Sequence, residues 1–169
     1  GFLDHETFDP RPNYFAVLLW TMLMGNEVYD SEIAISEGAH IFAHSRKDGK
    51  VGYAYLAINN SKEDSTILEF EGDAEVYLLS ASHIRSLTMQ LNGKELKLDE
   101  NNNLPDLKPV VVNSRLELSK ETIAFIILSR IMLNFSIIIS VDLKLFLLFR
   151  AIFISPFYYV FTFLNYNNI

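Results

Sequence analysis

Leu87-Thr88-Met89-Gln90-Leu91-Asn92-Gly93-Lys94-Glu95-Leu96-Lys97-Leu98 is the stretch that decides the fold. Leu87, Met89 and Leu91 alternate into Asn92-Gly93, and Leu96 and Leu98 alternate out. Asn-Gly between alternating apolar residues predicts a β-hairpin, because a type I′ turn needs positive φ at both central positions. Working outward, other strand-length runs carry the same period of two. They are His40-Ile41-Phe42-Ala43-His44, residues 51–58, Ile67-Leu68-Glu69-Phe70, Glu75-Val76-Tyr77-Leu78-Leu79 and residues 122–127. Turn chemistry separates them, as at Lys47-Asp48-Gly49-Lys50 and Asn59-Asn60-Ser61. Short strands at this spacing predict an antiparallel β-sandwich.

Ahead of the strands, the signals from Pro12 to Met24 predict one helix. Pro10 and Pro12 restrict its start, Asn13 can cap it, and Gly25 follows the last apolar residue. Phe15, Val17, Leu18, Leu19, Trp20, Met22, Leu23 and Met24 are too dense for a single amphipathic stripe. Such a helix needs cover on most of its circumference, as the last helix of a barrel wedged against a following domain would have.

Charge divides the chain. Residues 1–123 hold 20 of 21 acidic and 11 of 14 basic residues, leaving −9 there and +2 on residues 124–169. The net −7 argues against nucleic acid, which needs clustered Lys and Arg. Arg46, Lys47 and Lys50, interrupted by Asp48, read as a turn. The absence of cysteine removes disulfides, thiolate nucleophiles and Cys-based metal sites.

Chemistry is sparse. Asp4, Glu6 and Asp9 precede the helix and read as solvated, dipole-stabilising charges. Glu69, Glu71, Asp73 and Glu75 read as a hydrated loop around Gly72. His40 and His44 share a strand face but stand about 13 Å apart at strand rise, too far for one metal ion. No G-x-S-x-G elbow or phosphate loop occurs. We therefore assign no catalytic, cofactor-binding or metal residue. Tyr53 and Tyr55, with Tyr77, read either as sandwich core or as a carbohydrate-facing platform. Asn59-Asn60-Ser61 is an N-glycosylation sequon, placing Asn59 as an acceptor in a secreted protein. Asn134-Phe135-Ser136 matches by pattern in the apolar tail, where chance explains it.

A longer pattern joins these pieces: Gly1-Phe2-Leu3-Asp4, Phe8-Asp9-Pro10-Arg11-Pro12-Asn13-Tyr14-Phe15, Leu18-Leu19-Trp20 and Leu23-Met24-Gly25. It continues through residues 55–60, 76–79, 90–98, 104–109 and 122–125. Together, in this order, they resemble heparanase-like proteins, the endo-β-glucuronidases of glycoside hydrolase family 79. The resemblance implies a mainly β fold: one initial helix that ends a TIM-type barrel (residues 1–25), then a C-terminal β-sandwich (residues 26–129). It also implies hydrolysis, with retention, of glucuronide linkages in acidic polysaccharides or proteoglycan glycans. The catalytic carboxylates would lie on the barrel upstream of Gly1, so the chain reads as an inactive fragment whose partner is that missing barrel. The implied location is the secretory pathway, extracellular or in the lysosome or vacuole. The rival reading is a non-catalytic β-sandwich binding or interaction module, with or without a membrane tether.

Residues 130–169 form an apolar tail with a single proline and no glycine. Residues 145–164 are long enough to span a bilayer core of about 30 Å, although Arg150 lies within them. Three readings stay open: a membrane segment, a buried piece of a larger assembly, or aberrant translation of AT-rich non-coding sequence.

Overall fold

The computed structural model describes residues 1–31, 38–129 and 136–139. The chain divides into two units, Gly1–Ile138 and Ile139–Ile169. The second lies outside the described residues except for Ile139, and so do nearly all the tail readings.

Helix α1 (Pro12–Leu23) leads directly into β1 (Met24–Tyr29). Then follow β2 (Ala39–Arg46), β3 (Tyr53–Asn59), β4 (Thr66–Ser80), β5 (Gln90–Leu91), β6 (Lys94–Glu95), β7 (Val110–Leu118), β8 (Thr122–Leu128) and β9 (Ser136–Ile139). All pair antiparallel where the register is described, in the order β1-β2-β3-β8-β4-β5-β6, with β7 and β9 also on β4. The chain is mainly β, with one helix and an antiparallel sheet.

The apolar runs follow from burial on both faces of the β2-β3-β8-β4 sheet. One face carries Ile41, Ala43, Tyr55, Ala57, Ala124, Ile126 and Leu128, packed with Leu68, Phe70, Leu116 and Leu118. The other carries Ala54, Leu56, Phe125, Ile127, Tyr77 and Leu79 beneath Phe15 and Leu19 of α1 and Leu91 and Leu96 of the hairpin. A strand covered on both sides loses polar/apolar alternation, which is why five consecutive residues, 124–128, are buried.

The expected hairpin forms as read. Asn92 has φ 49° and Gly93 φ 79°, and Leu91 pairs with Lys94 across a two-residue loop. Its strands are shorter than the alternation suggested, and Leu87 is exposed. Tertiary bonds explain why the short hairpin holds. The Leu78 amide donates to Asn92 Oδ1 (2.9 Å), and Asn92 Nδ2 donates to the Val76 and Lys108 carbonyls (3.1 Å each).

Three expectations are corrected. Asn13 does not cap the helix: the N-cap is Arg11, in extended conformation with no side-chain bond, and Pro12 occupies the first turn. Asp4, Glu6 and Asp9 precede the helix as expected, but the Asp4 carboxylate is committed to the Glu6 and Thr7 amides and to Arg11 rather than to the helix end. The acidic run is not a loop between strands. β4 continues through it, with residues 70–72 bulging opposite Ser114 of β7 between the pairs Glu69↔Arg115 and Asp73↔Asn113. Gly72 (φ 80°) and Ser114 (φ 58°) absorb the extra residues, so the ladder resumes and the outward carboxylates stay hydrated.

Candidate functional site

The carboxylates of Asp4, Asp48 and Asp99 serve turns. Asp4 Oδ1 accepts from the Glu6 (2.9 Å) and Thr7 (3.1 Å) amides, and Oδ2 from Arg11 Nη2 (3.0 Å). The Glu6 amide first, then Thr7 and Arg11, hold its carboxyl at about 2, below the ordinary 3.8. A depressed native pKa stabilises the fold above the ordinary value, and that stabilisation is lost as pH falls from about 4 towards about 2. In urea titrations across that window, Asp4→Asn should show a flatter loss of stability than the parent; an unchanged slope would refute the role. Asp48 is chelated by Arg46 through Nε (3.0 Å) and Nη2 (2.6 Å), which lowers its pKa. Asp99 accepts from the Asn101 and Asn103 amides (2.8 Å each). None of these groups faces a second carboxylate as a glycosidase pair would.

The histidines also have local duties. His44 is buried on β2, and its Nδ1 lies 2.9 Å from the Gly25 carbonyl, so Nδ1 carries the proton and donates. Its ring stands edge-on to Trp20 at 4.9 Å, tying α1 and β1 to β2. His40 Nε2 meets Asn60 Nδ2 at 3.1 Å. Among the described residues, no three His, Cys, Asp or Glu groups converge to hold a metal ion.

Asn59, the first residue of the sequon, is buried in the fold. It is 1% exposed, and its Nδ2 donates to the carbonyls of Asp64 (2.9 Å), Leu118 (3.0 Å) and Ser119 (3.2 Å). Its Oδ1 accepts from the Ser61 amide (3.0 Å). The nitrogen a glycan would modify is buried and committed, so in this fold Asn59 is a structural pin between β3 and the β7–β8 turn. The sequon pattern is silent about burial.

Tyr55 and Tyr77 belong to the core, 7% and 8% exposed, and burial pushes Tyr55 up to about 12. Tyr53 is only half-buried. Its ring meets Tyr29 edge-on at 5.1 Å, beside a cleft of about 450 Å³ between β1 and the β2–β3 turn. Sequence reading missed Tyr29, because β1 carries no strand signal distinct from the helix before it. A second cleft, about 600 Å³, runs between the loop at residues 4–11 and the hairpin, lined by Asp4, Arg11, Leu87, Glu95 and Lys97.

The α1 surface is the remaining feature. Phe15 and Leu19 are buried on the sheet, whereas Val17 (47%), Trp20 (38%) and Met22 (47%) are exposed.

Comparison with known proteins gives this arrangement a context. The chain is 32% identical to baicalin-β-D-glucuronidase of Scutellaria baicalensis over 117 residues, covering 65% of this chain and 22% of that protein. It is 28% identical to heparanase-like protein 1 of Arabidopsis thaliana, covering 76% of this chain and 31% of that protein. The chain is thus similar to proteins named as heparanase-like and as glucuronidases. It is also 28% identical to hyaluronoglucuronidase of Hirudo nipponia, over 76% of this chain and 29% of that protein. No protein-family model matches it. The chain spans between about a fifth and a third of the length of these relatives, and the match is consistent with a heparanase-like C-terminal part.

Proposed function

We propose that the chain is the C-terminal portion of a retaining glycoside hydrolase of family 79 that cleaves glucuronide linkages in acidic glycans. The observation that carries this reading is the similarity, over most of the chain, to several proteins named as glucuronidases or heparanase-like. In the proposal the catalytic barrel is supplied by the remainder of a longer protein. A retaining mechanism needs two carboxyl groups about 5–5.5 Å apart, and the short-range partners of Asp4, Asp48 and Asp99 are amides and cations instead. The chain on its own is then inactive. The proposed role of its uncovered helix side, with Val17 and Trp20, is to pack on that barrel, since exposed apolar side chains grouped on one face mark interaction surfaces. The proposed location is the secretory pathway, extracellular or in a lysosome or vacuole. Among the described residues no helix is long and apolar enough to cross a membrane.

The test is an assay on a fluorogenic β-glucuronide. The isolated chain should give no turnover. A barrel-containing protein carrying this sequence should hydrolyse the substrate, and Val17→Asp should reduce its activity while leaving the urea midpoint of the isolated chain unchanged. Turnover by the isolated chain that is abolished by a substitution within residues 1–169 would overturn the proposal.

A further inference from the structure

We propose that the cleft between β1 and the β2–β3 turn is a non-catalytic subsite for an uncharged sugar residue of a glycan chain. Its volume, about 450 Å³, lies within the usual range for small-molecule clefts, roughly 300–1,000 Å³. Two tyrosines line it. Tyr29 is 38% exposed, and its position is set twice: its hydroxyl donates to Glu27 Oε2 (2.6 Å), and its ring packs edge-on against Tyr53. Tyr53 is in turn braced by the core Tyr55, with ring centroids 5.9 Å apart. Tyrosines held this way offer apolar area to the C–H faces of a sugar at small entropic cost, because few rotors remain to be frozen.

The polar lining selects among ligands. Arg46 forms part of the wall, but its side chain is only 8% exposed and is held by Asp48 and by Ser129 Oγ (3.1 Å). Lys50 lies 3.7 Å from the same Asp48 carboxylate. The lining holds Arg46, Lys50 and Glu27, and Asp48, which pairs with both cations from just outside it, completes the balance, so little net charge is left to attract a phosphate or another strong anion. It presents amide, carboxylate and ammonium groups at Asn26, Glu27 and Lys50, which suit hydroxyls that both donate and accept. The irregular register of β1 between Met24 and Val28 leaves Asn26 and Glu27 outside the regular ladder, free to face the cleft. The choice of a glycan over other polyols rests on the glucuronidase reading above. The subsite would hold a stretch of chain away from the cleaved bond.

The experiment is an equilibrium titration of the full chain, followed by amide chemical shifts, with xylotetraose and separately with a hyaluronan tetrasaccharide. Xylotetraose should move the amides of residues 26–29 and 50–53 and saturate in the millimolar range. Tyr29→Ala, on the exposed sheet edge, should weaken binding about tenfold or more, and Tyr29→Phe less. The uronate-containing probe should bind no more tightly than the neutral one. Lack of saturation, shifts confined to other surfaces, unchanged affinity in Tyr29→Ala, or salt-sensitive binding of the hyaluronan probe alone would each overturn the subsite. Because no turnover is measured, an empty cleft is distinguished from an inactive enzyme.

Discussion

Gly52→Ala is expected to destabilise the chain by at least about 3 kcal/mol, lowering its melting temperature by roughly 10 °C or more. Gly52 has φ 126°, a backbone conformation that L side chains rarely adopt. A Cβ there would lie 2.0 Å from the Leu128 carbonyl oxygen and 3.0 Å from its carbon. Both are backbone atoms, so no side chain can swing away. Relief requires β3 and β8, two inner strands of the sheet, to separate at the end of their ladder, where Tyr53 pairs with Leu128. Gly93→Ala is the control. Gly93 has φ 79° but nothing within 4 Å of its Cβ position, so only the left-handed strain remains, about 1–2 kcal/mol. Urea unfolding followed by far-ultraviolet circular dichroism separates the two. Equal effects at both glycines would refute the close approach of β3 to β8.

Asn59→Asp should be comparably damaging, costing about 3–5 kcal/mol at neutral pH. The substitution changes one atom. It replaces a nitrogen that donates to three carbonyls with an oxygen that can only repel them, at a position 1% exposed. Asn59→Leu removes the charge but leaves those carbonyls without the partner they have now, a smaller loss of about 1–3 kcal/mol. The expected order of urea midpoints is therefore parent, then Leu, then Asp. A midpoint for Asn59→Asp within error of the parent would refute the burial of Asn59 and its role as a pin.

Much of the sheet was legible because its signals are local or depend on composition. Asn92-Gly93 specifies its own turn, since both residues accept positive φ. The apolar runs at residues 53–58 and 122–128 name the two strands buried on both faces, β3 and β8. Other elements were not legible. β1 follows α1 without a break, so Gly25 read as a helix terminator. The structure instead uses it where a Cβ would strike Ser45 Oγ at 2.3 Å, letting β1 approach β2. The strand through the acidic run was hidden because a hydrated turn and a hydrated bulge have the same composition. Only the pairing with β7 distinguishes them.

The candidate site divides in the same way. The order of short motifs, together with the strand and turn signals, was enough to point to a heparanase-like, mainly β chain, because each motif reflects a local backbone need or a buried face. Which tyrosines pack and which stay accessible was decided by tertiary structure. Tyr53 and Tyr55 sit two residues apart on one strand face, yet Tyr55 lies beneath the bent β4–β7 ribbon while Tyr53 reaches the edge and meets Tyr29. Asn59 shows the same limit. Its sequon is a property of three consecutive residues, whereas its burial depends on Leu118 and Ser119, about sixty positions away. Local sequence can specify a turn or a face. Only long-range packing determines which polar atoms remain available for chemistry once the faces close.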